Sequence, residues 1–211
     1  MKKYKKWGGF FLLFPFILLS SCEPTVRLTA SNRNANAVPA SFSKILVLAI
    51  GKDLAKRTLG EESIKAELQK QGFTALTSIE AWGPQFAGMK DSAVMRRLLL
   101  DKLFDAVVTV RVLHIDEHDR WVPGYRYYGP IYVYQGFYTY YLRVYGYYDE
   151  PTYMGTEVEV LLESNLYQLR SGELLWTGQS KAFSKNPTPN MARRYARNIV
   201  KAMLDKNVIV H

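Results

Sequence analysis

Few residues in this chain have chemistry within reach. His114, Asp116 and His118 alternate along HIDEHD, so an extended strand would carry all three on one face, and two imidazoles with a carboxylate can ligate zinc. The segment lacks the HExxH spacing of a zinc-protease helix. A solvated strand end accounts for the same residues and is the reading adopted, with a metal-assisted hydrolase built on this trio as the enzymatic alternative. Glu157, Glu159 and Glu163 are carboxylates of the kind that glycosidases pair, but their spacing suits the wet face of a strand. The chain contains no G-x-S-x-G elbow, no P-loop and no G-x-G-x-x-G behind its first apolar strand. The expectation is a protein that is not an enzyme and needs no cofactor.

Cys22 is the only cysteine in 211 residues, so no disulfide stabilises a single copy of the chain. It follows MKKYKKW, with four lysines, and GGFFLLFPFILL, which is apolar from Gly8 to Leu19 apart from one proline. A membrane-spanning helix needs about 20 apolar residues, and this run is shorter, so residues 1–21 read as an export signal. The ending Leu19-Ser20-Ser21-Cys22 resembles the lipobox of bacterial lipoproteins. That resemblance implies a diacylglyceryl group on the Cys22 sulfur, cleavage before Cys22, and acylation of the new amino terminus. One acyl chain holds a protein at a membrane only marginally, whereas two or more anchor it durably. Cys22 is then an anchor and no nucleophile; a free thiol or an intermolecular disulfide is the competing reading.

Among lipoproteins an aspartate directly after the cysteine favours inner-membrane retention. Glu23 stands there instead, which implies the outer membrane, facing the periplasm, with the inner membrane and the cell surface as the remaining placements. Four of the 28 basic residues and none of the 19 acidic ones lie in the signal, so its removal lowers the net charge from +9 to +5. A nucleic-acid partner loses both its charge argument and its compartment.

Residues 22–43 are rich in Ser, Asn, Ala and Thr without a sustained hydrophobic period, and they read as a flexible tether. Residues 44–211 are the length of one domain. KILVLAI is a short continuous apolar run suited to a strand covered on both faces. Thr58 and Glu61 have capping-box spacing, which predicts a helix over 59–71 ended by Gly72. FTALTSI from Phe73 reads as a second strand. Asp91 is placed to cap a helix over 92–104 with Val94, Leu98 and Leu99 on its apolar face, and DAVVTVRVLHI follows as a third strand.

In TEVEVLLESNLYQLR, Val158, Val160, Leu162 and Leu166 alternate with the three glutamates, the mark of a strand with one wet face. Ser171-Gly172 turns the chain back through LLWTGQSKAF. Arg111 shares a strand face with Thr109 and can pair with one of the glutamates if the strands are neighbours. Thr188-Pro189 opens a last helix with Ala192, Tyr195, Ala196, Ile199 and Met203 as its apolar stripe. Arg193, Arg197 and Lys201 recur on another face, read as solvated, with anionic lipid headgroups or an acidic partner as the functional alternative. The fold class is α/β: a mixed sheet, βαβαβ followed by a β-hairpin and a C-terminal helix.

The phrases KILVLAI, KAELQKQGFTAL, LFDAVVTVRV and ESNLYQLRSGELLWTGQS resemble envelope lipoproteins whose fold is similar to the N-terminal domain of TolB, including CsgG-like and LpoB-like proteins. The resemblance covers about 44–115 and 155–206. It implies a fold; the residues that define pore formation or synthase binding have no match here, so neither activity is carried over.

The departure from a plain α/β domain is an insertion at about 116–155, whose stretch 120–155 holds twelve of the fifteen tyrosines. Alternation in IYVYQGFYTYYLRVYGYY, with turns at Gly129-Pro130 and Gly136, suggests extended ribbons. Such tyrosines can stack across strands on the domain itself. Tyrosine also offers a flat apolar face and a hydroxyl at small entropic cost. Tyr127, Tyr128, Tyr134, Tyr138, Tyr140 and Tyr141 are therefore candidates for contact with an envelope protein, or with glycan or peptidoglycan.

Overall fold

The computed structural model describes residues 26–89, 91–118, 136 and 157–210. Within them the expected α/β class is present as a six-stranded mixed sheet flanked by four α-helices. Strand β1 is Val26–Arg33, β2 Ile45–Ile50, β3 Ala75–Thr77, β4 Ala106–His118, β5 Glu157–Gln168 and β6 Leu174–Ala182. The spatial order is β1-β6-β5-β4-β2-β3, with β2 parallel to β3 and β4 and the remaining pairs antiparallel. Every residue of β2 is buried, as its unbroken apolar run requires of a strand with both faces covered.

Helix α1, Leu54–Lys70, begins earlier than the Thr58–Glu61 spacing predicts. Asp53 is its cap, the carboxylate accepting the Lys56 N–H at 3.1 Å. Thr58 lies inside the helix, its hydroxyl donating to the Leu54 carbonyl at 2.8 Å, and Glu61 is turned into the core. The capping box of this region belongs to Thr77 and Glu80, each side chain accepting the other's backbone N–H at 3.0 Å. It converts the end of the expected second strand into helix α2, Ser78–Trp82, and leaves β3 three residues long. Gly72, at φ +89, stops α1 as expected, with the Phe73 N–H bonded to the Leu68 carbonyl at 3.0 Å.

A 3-10 turn, Pro84–Gly88, leads to α3, Ser92–Asp101, capped by Asp91 as its position predicts. The helix ends before 104 because Leu103 takes φ +59, which turns the chain and buries Phe104. Its inward face is Met95 and Leu99, whereas Val94, expected to be inside, is 40% exposed.

The last helix, α4, is Pro189–Asp205, with Thr188 capping through the Met191 N–H at 3.2 Å. All five residues of its expected stripe are buried, the larger ones contributing about 1.5–3 kcal/mol each. Helices α1 and α4 pack on one sheet face with Val108, Val110, Leu166 and Trp176. The 3-10 turn and α3 pack on the other, against Leu46, Leu48 and Val107.

The tether expected over 22–43 is corrected by β1. VRLTASNR pairs antiparallel with β6 along its length, with a register shift between Leu28 and Ala30. An edge strand has one row of backbone bonds and a largely exposed set of side chains, so its hydrophobic period is too weak to stand out. The chain beyond it is held as well: Asn34 Nδ2 donates to the Leu174 carbonyl at 2.9 Å, Phe42 is buried, and Ala40 bridges to Ile209.

Candidate functional site

Strand β2 is the point where the chain leaves for β3 on one side and returns to β4 on the other. In open α/β sheets ligands gather beyond the carboxyl ends of strands at such a place. Here that end holds a cavity of about 140 Å³ between α1, α4 and the sheet, lined by Val26, Ile50, Val110, Leu162, Ala182 and Met191 among others. Small residues make the space: Ala49 comes from β2, Gly51 from the turn after it, Gly60 from α1 and Ala192 from α4. The size matches a cavity that admits one benzene ring. It therefore suits a single aromatic or short aliphatic group; the mouth carries Lys56, ion-paired to Asp53 at 3.3 Å, and Lys185. No sequence signal announces this cavity, because it is built from side chains that are small.

Two buried charges lie beside it. The Glu61 carboxylate, fully buried, accepts the Ala49 N–H at 3.0 Å, the Ser78 hydroxyl at 2.8 Å and the Ile79 N–H at 3.3 Å. Burial pushes its pKa up, opposed by those three donors and by the Arg57 charge. Arg57 donates to the carbonyls of Ala49 at 3.1 Å and Pro84 at 2.9 Å. Together they tie α1 to β2 and to the segment of α2 and the 3-10 turn, and Arg57 also forms part of the cavity lining.

The expected pairing of Arg111 with a glutamate is found. Arg111 and Glu163 face each other across β4 and β5, with Nε to Oε2 at 2.8 Å. The expectation of a wet face for Glu163 is corrected, since only 2% of the residue is exposed; Glu159 instead reaches Lys181 at 2.6 Å. On the opposite face Ser164 and Tyr195 share a hydrogen bond of 2.5 Å. Burial drives the Tyr195 hydroxyl well above the ordinary tyrosine range.

The histidine cluster is only partly within the described side chains. Strand β4 continues through His118. A register shift lies between Val112 and His114, after which His114, Asp116 and His118 pair with Leu161, Glu159 and Glu157, which puts His114 and Asp116 on the face of Arg111. His114 Nε2 stands 3.7 Å from Asp116 Oδ1, both well exposed. Among the described residues no group of three His, Cys, Asp or Glu side chains is placed to hold a metal.

Cys22 and the candidates Tyr127, Tyr128, Tyr134, Tyr138, Tyr140 and Tyr141 lie outside the described residues. Residue 136 is described, and a Cβ on Gly136 would stand 3.6 Å from the Gly172 carbonyl oxygen. Gly172 is at the β5–β6 turn, whereas the insertion leaves and rejoins the sheet at the paired residues His118 and Glu157. Gly136 thus lies beside the β5–β6 turn, at the opposite end of β4 and β5 from His118 and Glu157.

On α4, Arg193, Arg197 and Lys201 are exposed, as expected of a solvated stripe. Among the described residues no helix is long and apolar enough to cross a membrane.

No protein-family model matches the chain, and no curated protein matches it. Among solved structures, the PelC dodecamer from Paraburkholderia phytofirmans is similar at TM-score 0.45 and 11% identity, covering 86% of this chain and 97% of that one. The lipoprotein GNA1162 from Neisseria meningitidis is similar at TM-score 0.40 and 17% identity, covering 77% and 99%. A PDZ domain protein from Parabacteroides distasonis is similar at TM-score 0.39 and 11% identity; the chain covers 37% of that protein and 86% of its own length is matched. At these scores none of the three bears on what this chain does.

Proposed function

We propose that this chain is a lipid-anchored envelope protein without catalytic activity, an accessory or assembly factor that works by contact at the periplasmic face of the outer membrane. The observation that carries the reading is the order of four lysines, a short apolar run and Leu19-Ser20-Ser21-Cys22, which an anchor explains and a soluble enzyme does not. It is supported by the use made of the buried charges: Glu61, Arg57, Arg111 and Glu163 are engaged in holding strands and helices together. Mass spectrometry of the protein made in its native cell tests the anchor. The reading requires a thioether-linked diacylglyceryl group on Cys22 and loss of residues 1–21; an unmodified thiol or a retained leader refutes it.

The partner is a protein of the envelope, met through the tyrosine-rich insertion. Photocrosslinking from Tyr134 and Tyr138 in cells is expected to capture such a protein. Binding to purified peptidoglycan that disappears when Tyr127, Tyr128, Tyr138 and Tyr140 are replaced would move the assignment to a glycan-binding module.

A further inference from the structure

The Val26 carbonyl, at the first residue of β1, accepts a hydrogen bond from Asn198 Nδ2 at 3.3 Å. The end of the sheet nearest Cys22 is thereby fixed beside the middle of α4. Only Glu23, Pro24 and Thr25 separate Cys22 from Val26, a reach of at most about 14 Å when fully extended. A domain held on so short a lead has part of its surface against the bilayer, and α4, whose half-buried Asn198 meets Val26, is the helix next to the lead.

The exposed side of that helix has a pronounced charge. Arg193, Arg194, Arg197 and Lys201 are exposed on it, and the only acidic residue of the helix is Asp205 in its last turn, which pairs with Lys201 at 2.6 Å. The spacing of Arg193, Arg197 and Lys201 sets one cation per turn in a row parallel to the helix axis, about 6 Å apart. Guanidinium groups in such a row match phosphate oxygens as bidentate donors. Phe183, 45% exposed, follows Ala182, the residue paired with Val26, and offers an apolar contact at the same end of the strand.

We infer that the basic face of α4 lies flat on the anionic phospholipid headgroups of the bilayer that holds Cys22. This rests on the lipid anchor and goes beyond it, because the anchor alone sets no orientation. The short lead keeps the row of cations within the layer where each basic side chain gains attraction from an anionic surface.

The test uses the processed protein extracted from its native membrane and inserted through its own anchor into preformed vesicles. One set is phosphatidylcholine alone; the other contains about one third phosphatidylglycerol, enough to create the surface potential that attracts basic segments. A water-soluble amine reagent then reports on Lys201, with Lys102 on the other sheet face as the internal reference. Labelling of Lys201 is expected to fall about five-fold in the anionic vesicles, roughly the effect of one basic side chain held at the surface, while Lys102 is unchanged. The doubly substituted Arg193→Gln/Arg197→Gln protein is expected to lose most of that difference.

Mass spectra of the labelled protein, which quantify the two lysines, also read the state of Cys22. An acylated Cys22 with Lys201 labelling independent of lipid charge overturns the orientation and leaves the anchor standing. An unmodified Cys22 overturns both. Protection of Lys201 that is present in native membranes and absent in the anionic vesicles assigns the stripe to an acidic protein and overturns the inference.

Discussion

Gly178 is expected to tolerate no side chain. An ideal Cβ built there stands 2.4 Å from Cη2 and 2.7 Å from Cζ2 of Trp176, against the roughly 3.5–4.0 Å at which carbon atoms attract. The indole must therefore move by more than about 1 Å. It is fully buried, and its N–H donates to Ser31 Oγ of β1 at 2.9 Å, so displacing the ring also strains the edge strand. Overpacking costs about 1–3 kcal/mol and the indole hydrogen bond about 1 more. The reduced freedom of the unfolded chain returns about 0.4–1 kcal/mol. Gly178→Ala is expected to destabilise by about 1–3 kcal/mol, which lowers Tm by about 3–10 °C for a domain of this size. Thermal unfolding followed by circular dichroism measures this, and adding Trp176→Leu should make the pair cost less than the sum of the two. The companion substitution Gly60→Ala, in the interior of α1 with nothing within 4 Å of the new Cβ, is expected to raise stability by about 0.5–1 kcal/mol. An unchanged or higher Tm for Gly178→Ala would refute the packing argument.

Glu61 should make stability depend on pH. Because burial raises its pKa in the folded state above the ordinary glutamate value of 4.5, its contribution is fully present below that value and is lost as pH rises through the raised one, by at most about 1.4 kcal/mol per pH unit. Urea unfolding followed as pH rises from 4.5 should show that slope in the wild type and lose its Glu61 component in Glu61→Gln; an identical profile for the two proteins contradicts this account. Tyr195→Phe leaves the buried Ser164 hydroxyl without its partner and should cost about 1–3 kcal/mol, part of which the additional change Ser164→Ala recovers. Arg111→Ala removes the guanidinium from a nearly buried Glu163 and should cost about 3 kcal/mol in denaturant unfolding; a loss below 1 kcal/mol would show that other groups suffice to hold that carboxylate.

The parts of the fold that were legible share a property: one residue type settles the local question. An unbroken ILVLAI must be covered on both faces, Thr188-Pro189 must open a helix, and Gly72 and Gly172, with φ +89 and +75, must turn the chain. What escaped depends on competition between equivalent signals. Thr58–Glu61 and Thr77–Glu80 have the same spacing, and only packing decides that Glu80 caps while Glu61 goes inside. That outcome had a faint trace, since Arg57, Glu61, Ile64 and Leu68 form one helical stripe, the four buried residues of α1, with two charges at core positions. Strand β1 left little trace, because an edge strand alternates weakly and is held by backbone bonds and by Trp176 from another strand. Of the candidate site, the Arg111–Glu163 pair could be anticipated from the polar positions on two strands. The cavity could not, because small side chains scattered over separate elements read as parts of a helix, strand or turn and never as a void.

Strand β1 also decides how this molecule answers a pull. Tension applied at Cys22 enters the sheet at Val26, at the head of a strand that lies antiparallel along β6, so the load runs lengthwise and strains the ladder bonds together instead of opening them one by one. Such a joint resists a tug along its axis and yields to one directed sideways. On the anchor proposed above, machinery that draws the lipid from a bilayer along that axis would carry the folded domain with it.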